Sequence, residues 1–420
     1  MGGYLPFSYD ITEALKEEKN LLTVKVRDYS ETCYYSRGKQ KLKNGGMFYT
    51  AQSGIWQTVW IEKVPECYIG HLKITPLYDQ SSIMIQMEEE HGIKDIDYEV
   101  TITARKMWPV KASGKTGKPC VIMIPHMRSW SPEDPFLYDL HVRMGEDSVE
   151  SYFAMRKVEV KNDKEGIPRI FLNNEPYFEK GVLDQGYWPD GLYTPPCDEA
   201  MIYDIQKMKD LGFNMIRKHI KIEPQRWYYH CDRIGMLVWQ DMVNGGRDYK
   251  SWYVTYMATA MEEMHIRAKD TRIHLMGRQD PAGQRQFEKD MKETVRLLYN
   301  HPSIVTWVIF NEGWGQFQTK KMTDIVRAED PYRLTDSASG WFDQGCGDIR
   351  SIHDYFFPLH VTPEKRVTAL TEFGGYSLQI PKHSMYEKKV YGYKKFKRKR
   401  ELTAGYEKLI KKLIIPNISR

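Results

Sequence analysis

The sequence predicts a multidomain chain in which β structure comes first and an α/β domain follows. Its 420 residues are too many for one compact core and indicate two or three domains. Up to about residue 155, short segments alternate apolar with polar residues, whereas after about residue 165 helical patterns alternate with uniformly apolar segments. The first pattern is typical of β-sandwiches. The second is typical of a parallel sheet covered by helices.

Five segments of the first part have the alternating pattern of strands. They are LLTVKV (21–26), HLKITPL (71–77), SSIMIQM (81–87), DYEVTITA (97–104) and YDLHVRM (138–144). Turn-forming stretches such as KNGG (43–46) and ASGKTGK (112–118) separate them. The proline-centred stretch EKVPE (62–66) marks a candidate joint between two sandwiches.

The second part alternates helices with apolar strands. The helices are predicted at 198–212, 223–235 and 286–300. Asp198 and Pro224 mark helix starts, and Gly212 and Gly235 mark helix ends. The strands are predicted within 177–183, 213–219, 236–241, 304–312, 333–337, 350–355 and 367–373. This count is one strand short of a closed (β/α)₈ barrel, so the sequence predicts a barrel of about seven units.

Composition and short motifs exclude several classes of function. The net charge of +5 is small for this length and indicates no nucleic-acid partner. No apolar run approaches the roughly 20 residues that span a bilayer, so we expect a soluble chain without membrane insertion. The six cysteines form no C-x-x-C pair, and no H-E-x-x-H motif or acidic cluster supports a metal site. We therefore expect no metal site, no disulfide framework and no organic cofactor.

Three further features leave alternatives open or fail as motifs. The aromatic content of 13% suits stacking on sugars, but it equally suits β-sandwich cores. SGKTGK (113–118) lacks the first glycine of a phosphate loop, because position 109 is proline. KKVYGYKKFKRKR (388–400) is basic enough to suggest nucleic acid, yet its place after a barrel strand favours a solvated surface.

Polar and ionisable residues stand where the predicted barrel strands end. They are Asp184, Arg217, His219, Asp241, Asn311, Glu312, His353, Tyr355 and Glu372. Only the fifth strand is expected to lack such a group. Because the carboxyl ends of barrel strands share one cleft, we expect these side chains to meet there.

Two carboxylates from different strands facing one cleft are what glycoside hydrolysis requires. One carboxyl group gives a proton to the leaving oxygen, while the other acts at the anomeric carbon. Like charges held close in a partly apolar site, lined by residues such as Trp307 and Trp341, would separate the two pKa values. Asn311 fits as a hydrogen-bond partner for a sugar hydroxyl.

Several longer motifs resemble glycoside hydrolase family 2, which contains β-galactosidases, β-mannosidases and β-glucuronidases. FNEGWG (310–315) and TEFGG (371–375) resemble the acid/base and nucleophile motifs of that family. Further similar stretches are GIWQTVWIE (54–62), SPEDPFLYDL (131–140), RKHIKIEPQRWYYHCDRIGMLVWQD (217–241) and NHPSIVTW (300–307). The resemblance covers essentially the whole chain.

The resemblance implies a fold with three domains. Residues 1–64 would be the C-terminal part of a sugar-binding jelly roll, residues 65–160 an immunoglobulin-like β-sandwich, and residues 161–420 a (β/α)₈ TIM-type barrel lacking its last strand. By comparison with the family both ends look truncated. The natural N-terminus and any signal peptide would then be absent, and the compartment stays open.

The resemblance also implies an activity and roles for individual residues. Glu312 would be the general acid/base and Glu372 the nucleophile of a retaining, β-galactosidase-like exo-β-glycosidase, with a β-glycoside as its partner and a homo-oligomer left open. Arg217 would orient Glu372, and Tyr355 or His353 would contact it. The alternative is an inactive fragment or a carbohydrate-binding remnant of such an enzyme.

For several single residues, a purely structural role remains an open alternative at this point. Arg217 could pair with a structural acid, and barrel-end residues such as His219, His353 and Tyr355 are often packing residues. Asp184 and Asp241 fit substrate binding and structure equally well. Trp341 could stack on a sugar ring, or it could cover the open side of the barrel.

Overall fold

The computed structural model describes residues 3–264, 266–355, 361, 364–384 and 390–418. In that part of the chain, no helix is long and apolar enough to cross a membrane. The strands are β1 Gln40–Lys41, β2 Tyr49–Thr50, β3 Ile69–Leu77, β4 Ser82–Glu89, β5 Asp97–Thr103, β6 Val110–Lys115, β7 Cys120–Met123, β8 Tyr138–Met144, β9 Asp147–Phe153, β10 Val158–Asn162, β11 Pro168–Leu172, β12 Glu175–Pro176, β13 Gly181–Asp184, β14 Met215–Lys218, β15 Leu237–Asp241, β16 Ile304–Val308, β17 Leu334–Asp336, β18 Ile349–Asp354, β19 Val367–Phe373, β20 Tyr376–Leu378 and β21 Lys394–Phe396. The α-helices are α1 Asp198–Asp210, α2 Gln225–Ile234, α3 Ala258–Glu263, α4 Pro281–Leu298, α5 Thr319–Glu329 and α6 Lys399–Leu409.

The N-terminal segment has little regular structure. Among residues 3–64 the only strands are β1 and β2, which pair in parallel. The strand predicted at 21–26 is wrong: this stretch has no regular secondary structure, and Leu21 is 90% exposed. A strand needs a hydrogen-bonded neighbour, and none of the described segments supplies one there. The jelly roll expected for residues 1–64 stays a prediction, as do the other domain boundaries.

A β-sandwich follows, as the alternating segments predict. Strands β3, β4 and β7 form one antiparallel sheet, and β6, β5, β8 and β9 form the other. Along β8 every second residue is buried, so one face of the sheet enters the core between the sheets. Seven strands in two sheets is the count typical of an immunoglobulin-like domain. The stretch 112–118, predicted to be only a turn, contains the end of β6.

The parallel strands of the second half match the predicted ones closely. Strands β13, β14, β15, β16 and β17 form one parallel sheet in chain order, and β18 and β19 form a second parallel pair. Asp348, just before β18, donates its amide to the Thr335 carbonyl of β17 at 2.9 Å, which joins the two sheets. Among the described residues these seven strands form the barrel wall. Whether an eighth strand is missing stays a prediction.

The helices begin and end near the predicted signals. Helix α1 starts at Asp198, and the glycine after it, Gly212, has a φ of +89°. Helix α4 begins at Pro281, five residues before the predicted start. The Asp280 carboxylate caps it by accepting the amide of Ala282 at 2.9 Å, a local signal that the apolar periodicity alone did not include.

Buried polar groups join the sandwich to the N-terminal end of the barrel. The Arg156 guanidinium, after β9, donates to the carbonyls of Pro302 (2.9 Å) and Ile304 (2.6 Å) at the start of β16. The Tyr152 hydroxyl donates to Asp232 Oδ2 at 2.7 Å. Arg156 satisfies the buried Pro302 carbonyl, and it shares the Ile304 carbonyl with Arg333 Nε, so these bonds help to hold the barrel on the sandwich.

We expect Arg156→Met to lower the free energy of unfolding by about 1–3 kcal/mol, because the buried Pro302 carbonyl loses its donor and the Ile304 carbonyl keeps only Arg333. Urea unfolding followed by tryptophan fluorescence measures this. Arg128→Met is the matched control, since Arg128 forms an exposed pair with Asp134. The control should leave stability essentially unchanged. A loss for Arg156→Met no larger than the control's would mean that these bonds do not hold the two domains together.

Candidate active site

Glu312 and Glu372 come together at the carboxyl ends of β16 and β19. One carboxylate oxygen from each, together with a ring nitrogen of His353, lies within 4.8 Å of the others. Glu312 is 7% and Glu372 is 9% exposed, so the cluster is shielded from bulk water. The two residues are sixty positions apart in sequence, and the parallel strands bring them to one cleft.

The backbone that carries Glu312 leaves the strand by a tight turn. Asn311 pairs with Ser339 in a parallel bridge, and the Glu312 amide donates to the Ser339 carbonyl at 2.9 Å. Glu312 itself has a φ of +51°, a conformation that costs energy for any residue with a side chain. Gly313 continues the turn at +75°, where a Cβ would lie 2.7 Å from the Phe342 ring. The strained turn aims the Glu312 carboxylate into the cleft.

Glu372 lies among donors and positive charge. Its Oε1 accepts from Arg217 Nη1 at 3.1 Å, and its Oε2 accepts a short hydrogen bond from the Tyr355 hydroxyl. Burial opposes ionisation, but the charges of His353, Arg217 and His219 outweigh it and hold the pKa of Glu372 well below its usual range. Glu372 is therefore ionised at neutral pH.

Arg217 connects four elements of the barrel. Its Nε and Nη2 both donate to the Asp241 carboxylate at 2.9 Å, and Nη2 also donates to Asn311 Oδ1 at 2.9 Å. Burial opposes the charge of Asp241, yet Arg217 and His219 together lower its pKa. Arg217 thus pairs with two buried carboxylates and fixes the position of Glu372 relative to Asn311.

His353 bridges the Glu312 carboxylate and the Ser339 hydroxyl. Its Nδ1 lies 3.0 Å from Glu312 Oε1, and its Nε2 lies 3.0 Å from Ser339 Oγ. Nε2 also lies 3.7 Å from Glu372 Oε1. The imidazole packs edge-on against Trp341, with ring centroids 5.9 Å apart. A side chain held in this way orients Glu312 without sharing a bond with Glu372.

Besides the ring nitrogens of His219, two buried donors in the cleft have no hydrogen-bond partner among the described residues. They are Asn311 Nδ2 and Trp341 Nε1, and both belong to buried residues. A buried donor without a partner costs free energy, so such atoms are uncommon unless a ligand or water completes them. Asn311 is thus fixed through its oxygen by Arg217, and its amide hydrogens can donate to a ligand.

The structure brings together all but one of the predicted site residues. Arg217, Asp241, Asn311, Glu312, Trp341, His353, Tyr355 and Glu372 are joined by direct contacts, and His219 Nδ1 lies 2.9 Å from Asp241 Oδ2. Asp184 instead accepts from Lys218 Nζ at 2.7 Å. Lys218 lies over the Trp227 ring of α2, so Asp184 belongs to the side of the sheet that faces the helices. Its role in substrate binding stays a prediction.

Two details of the sequence interpretation were wrong. Trp307 does not line the cleft: it is fully buried and donates to Asp330 Oδ2 at 2.9 Å, within the core beneath the helices. The fifth strand does carry an ionisable group at its end, Asp336, which accepts a short hydrogen bond from Ser351 Oγ. Burial raises the pKa of Asp336 to about 6.

Sequence reasoning also missed Lys39, which is 7% exposed and comes from the N-terminal segment. Its charge interacts with both Glu372 and Glu312, although burial lowers the pKa of Lys39 overall. Lys39 Nζ lies 5.6 Å from the centre of the Trp314 ring. No periodic pattern surrounds Lys39, so only the long-range docking of this segment reveals it.

Glu312, His353 and Glu372 have the composition of a metal site as well as of a catalytic pair. However, both oxygens of Glu372 already accept hydrogen bonds from Arg217 and Tyr355. Both ring nitrogens of His353 also contact partners within the protein. These engaged atoms favour the interpretation as a catalytic pair.

A β-sandwich followed by a parallel barrel, with two carboxylates at its strand ends, defines the class of (β/α)-barrel carbohydrate-active proteins. A family profile described as "Glycosyl hydrolases family 2, TIM barrel domain" matches residues 197–372. A second, described as "Glycosyl hydrolases family 2", matches residues 67–156. Together the two cover more than half of the chain, and the chain belongs to glycosyl hydrolase family 2.

Individual relatives are distant and longer. A β-galactosidase of Leuconostoc mesenteroides is 24% identical, and the match covers 82% of this chain and 32% of the relative. The chain spans about a third of the length of the curated relatives it matches. Among solved structures, a β-galacturonidase from Eisenbergiella tayi has a TM-score of 0.56 at 20% identity, covering 78% of this chain and 60% of the other. A β-D-glucuronidase of Dictyoglomus thermophilum has a TM-score of 0.59 at 16% identity, covering 79% of this chain and 57% of the other. These structures support the fold.

We expect Asp241→Asn to lower the free energy of unfolding by about 3–5 kcal/mol. The change removes a negative charge from the buried network, so the Arg217 guanidinium loses one of its two carboxylate partners. Urea unfolding measures the change. Glu99→Gln is the control, since it breaks an exposed pair with Arg143 and should have little effect. Equal, small losses in the two variants would contradict the central position of Arg217 in the site.

Proposed function

We propose that the protein hydrolyses terminal β-glycosidic bonds with retention of configuration, using Glu372 as nucleophile and Glu312 as acid/base. The observation that carries this proposal is the separation of the two carboxylates, whose nearest oxygens lie within 4.8 Å. Retaining glycosidases hold these groups about 5–5.5 Å apart, whereas inverting enzymes leave about 6.5–9.5 Å for a water molecule. The short separation supports direct attack by a carboxylate.

The surroundings of the two carboxylates support different roles. Glu372 receives hydrogen bonds from Arg217 and Tyr355, and its lowered pKa keeps it ionised as a nucleophile must be. Glu312 has one side-chain contact of this kind, to His353 Nδ1 at 3.0 Å. No guanidinium among the described residues contacts Glu312, so we assign the role of proton donor to Glu312 and that of nucleophile to Glu372.

The reaction then takes two steps. Glu372 attacks the anomeric carbon while Glu312 gives its proton to the departing glycosidic oxygen, which leaves a glycosyl ester on Glu372 and a carboxylate at Glu312. In the second step Glu312 takes a proton from water, and the resulting hydroxyl attacks the anomeric carbon. The sugar leaves with its original configuration, Glu372 is again a carboxylate, and Glu312 is again protonated.

Asn311 and Trp341 support binding of the sugar next to this pair. Asn311 Nδ2 has no partner among the described residues and adjoins Glu312 in sequence, where it can donate to a sugar hydroxyl. A hydrogen bond at that position strengthens in the transition state. The relatives carry the names of β-galactosidases, β-glucuronidases and a β-galacturonidase. We therefore propose a terminal β-glycoside as substrate, with the β-galactosidase-like specificity as one member of that class.

The complete network favours turnover over simple binding of carbohydrate. A carbohydrate-binding remnant would need the sugar contacts, but it would have no use for a strained turn that aims Glu312 at an ionised Glu372. Both carboxylates and their orienting partners lie within the described residues. The two carboxylate variants below distinguish these possibilities.

We expect Glu372→Gln to abolish hydrolysis of aryl β-glycosides, because an amide cannot form the glycosyl ester. The measurement is release of 4-nitrophenol from a panel of 4-nitrophenyl β-glycosides by the full chain. Glu364→Gln is a matched control, since Glu364 pairs with Arg350 and Arg366 outside the cluster. An unchanged rate in Glu372→Gln would rule out its role as nucleophile.

Glu312→Gln should slow substrates with poor leaving groups far more than activated ones, because only the former need a proton on the departing oxygen. Comparing an alkyl β-glycoside with a 2,4-dinitrophenyl β-glycoside of the same sugar measures the difference. If both substrates lose activity equally, Glu312 is not the proton donor.

A further inference from the structure

Lys39 occupies an unusual position at the mouth of the barrel. It belongs to a buried strap, residues 36–40, which crosses the loops that follow β15 and β16. Lys39 is 7% exposed, although it lies in an N-terminal segment where most residues are exposed. Because the carboxyl ends of the barrel strands hold Glu312 and Glu372, the strap brings a cation from a distant part of the sequence to the same cleft.

The strap is held firmly by backbone contacts. The amides of Arg37 and Gly38 donate to the Asn244 carbonyl at 3.2 and 2.9 Å, and Ser36 pairs with Gly245. Gly38 has a φ of +62°, and a Cβ there would lie 2.6 Å from the Tyr193 hydroxyl. The Lys39 carbonyl accepts the amide of Tyr49 at 2.8 Å. The direction of the Lys39 side chain is therefore fixed by the fold and not by a surface loop.

Lys39 differs from the other buried lysines in having no partner. Lys218 Nζ lies 2.7 Å from Asp184 Oδ2 and 2.9 Å from Glu223 Oε1. Lys221 Nζ lies 2.9 Å from Glu223 Oε1. Among the described residues, by contrast, the Lys39 ammonium forms no hydrogen bond and no ion pair. The group that partly stabilises its positive charge is the Trp314 ring, whose centre lies 5.6 Å from Lys39 Nζ.

A buried charge without a counterion is costly unless a ligand completes it. Lys39 interacts electrostatically with Glu312 and Glu372, yet neither lies within ion-pair distance of its ammonium. Glu372 is already satisfied by Arg217 and Tyr355, so Lys39 is not needed to hold it. The strap docks on the loop after β15, and the Lys39 ammonium lies over Trp314, two residues after Glu312. An unpaired positive charge is thus held beside the loop that carries Glu312.

We propose that Lys39 binds the carboxylate of a hexuronic acid, and that the substrates of this protein are β-hexuronides. This inference rests on the proposed function, of which it specifies the substrate class. A sugar carboxylate adds the negative charge and the acceptors that Lys39 lacks, whereas a neutral hexose adds only a hydroxyl. Lys39 is then a specificity-determining residue supplied to the barrel by the N-terminal segment.

The test compares wild-type protein, Lys39→Met and Lys41→Met on 4-nitrophenyl β-D-glucuronide, β-D-galacturonide, β-D-glucoside and β-D-galactoside. Lys41 is the matched control, because it lies two residues away and pairs with Asp248. We expect the wild type to prefer a uronide. Lys39→Met should lower kcat/KM on that uronide by about 100-fold, mainly through KM, and leave the neutral sugars largely unchanged. Lys41→Met should behave like the wild type.

If Lys39→Met lowered kcat/KM equally on uronides and on neutral glycosides, the proposal would be overturned. Lys39 would then influence Glu312 and Glu372 whatever the substrate, and would not recognise a sugar carboxylate. A wild type that hydrolyses neutral glycosides but no uronide would also overturn it, while leaving the proposed function intact. This second outcome does not depend on whether the variant folds.

Calorimetric titration with free glucuronic and galacturonic acid, and with glucose and galactose, separates binding from turnover. If no glycoside is hydrolysed but a uronic acid binds and Lys39→Met abolishes that binding, the proposed function fails and the role of Lys39 stands. If the neutral sugars bind as tightly as the acids, the role of Lys39 fails.

Discussion

The guanidinium of Arg217 is the interaction on which the rest of the site depends. From β14 it reaches Asp241 on β15, Asn311 after β16 and Glu372 on β19, with all four bonds at 2.9–3.1 Å. A planar fork of donors can satisfy this many oxygens at once, and a lysine could not. Since the network is buried, its one positive charge allows two carboxylates to remain ionised away from water. The positions of the Glu372 carboxylate and the Asn311 amide are thus fixed by one side chain.

The asymmetry between the two central carboxylates follows from this arrangement. Glu372 accepts hydrogen bonds from the Arg217 guanidinium and the Tyr355 hydroxyl. Glu312 instead contacts the His353 ring and lies in a turn with a positive φ. The two glutamates have different contacts because each is placed by a different strand of the barrel. Despite burial, His353 and Arg217 contribute to the lowered pKa of Glu372, and the direct guanidinium contact is made to Glu372.

Sequence patterns predicted the barrel and its carboxylate pair well, because both depend on local signals. Strand β19 has its predicted bounds, and Glu312 and Glu372 follow apolar runs whose ends share a cleft. Features set by long-range packing could not be predicted in this way. Lys39 reaches the site only because its strap docks on the loop after β15, and the segment 21–26 alternates like a strand without having a neighbour to pair with. Asp184 was assigned to the cleft from its position at a strand end, but its contact with Lys218 places it on the helix-facing side.

The most direct test of this account is to trap the covalent intermediate. An activated 2-deoxy-2-fluoro-β-glycoside of a sugar that the protein hydrolyses slows the second step more than the first, so the glycosyl ester accumulates. Mass spectrometry of the digested protein then locates the label. The account predicts one fluoroglycosyl group per chain, on the peptide that contains Glu372. A label on Glu312, or turnover of the reagent with inversion and no label, would contradict it.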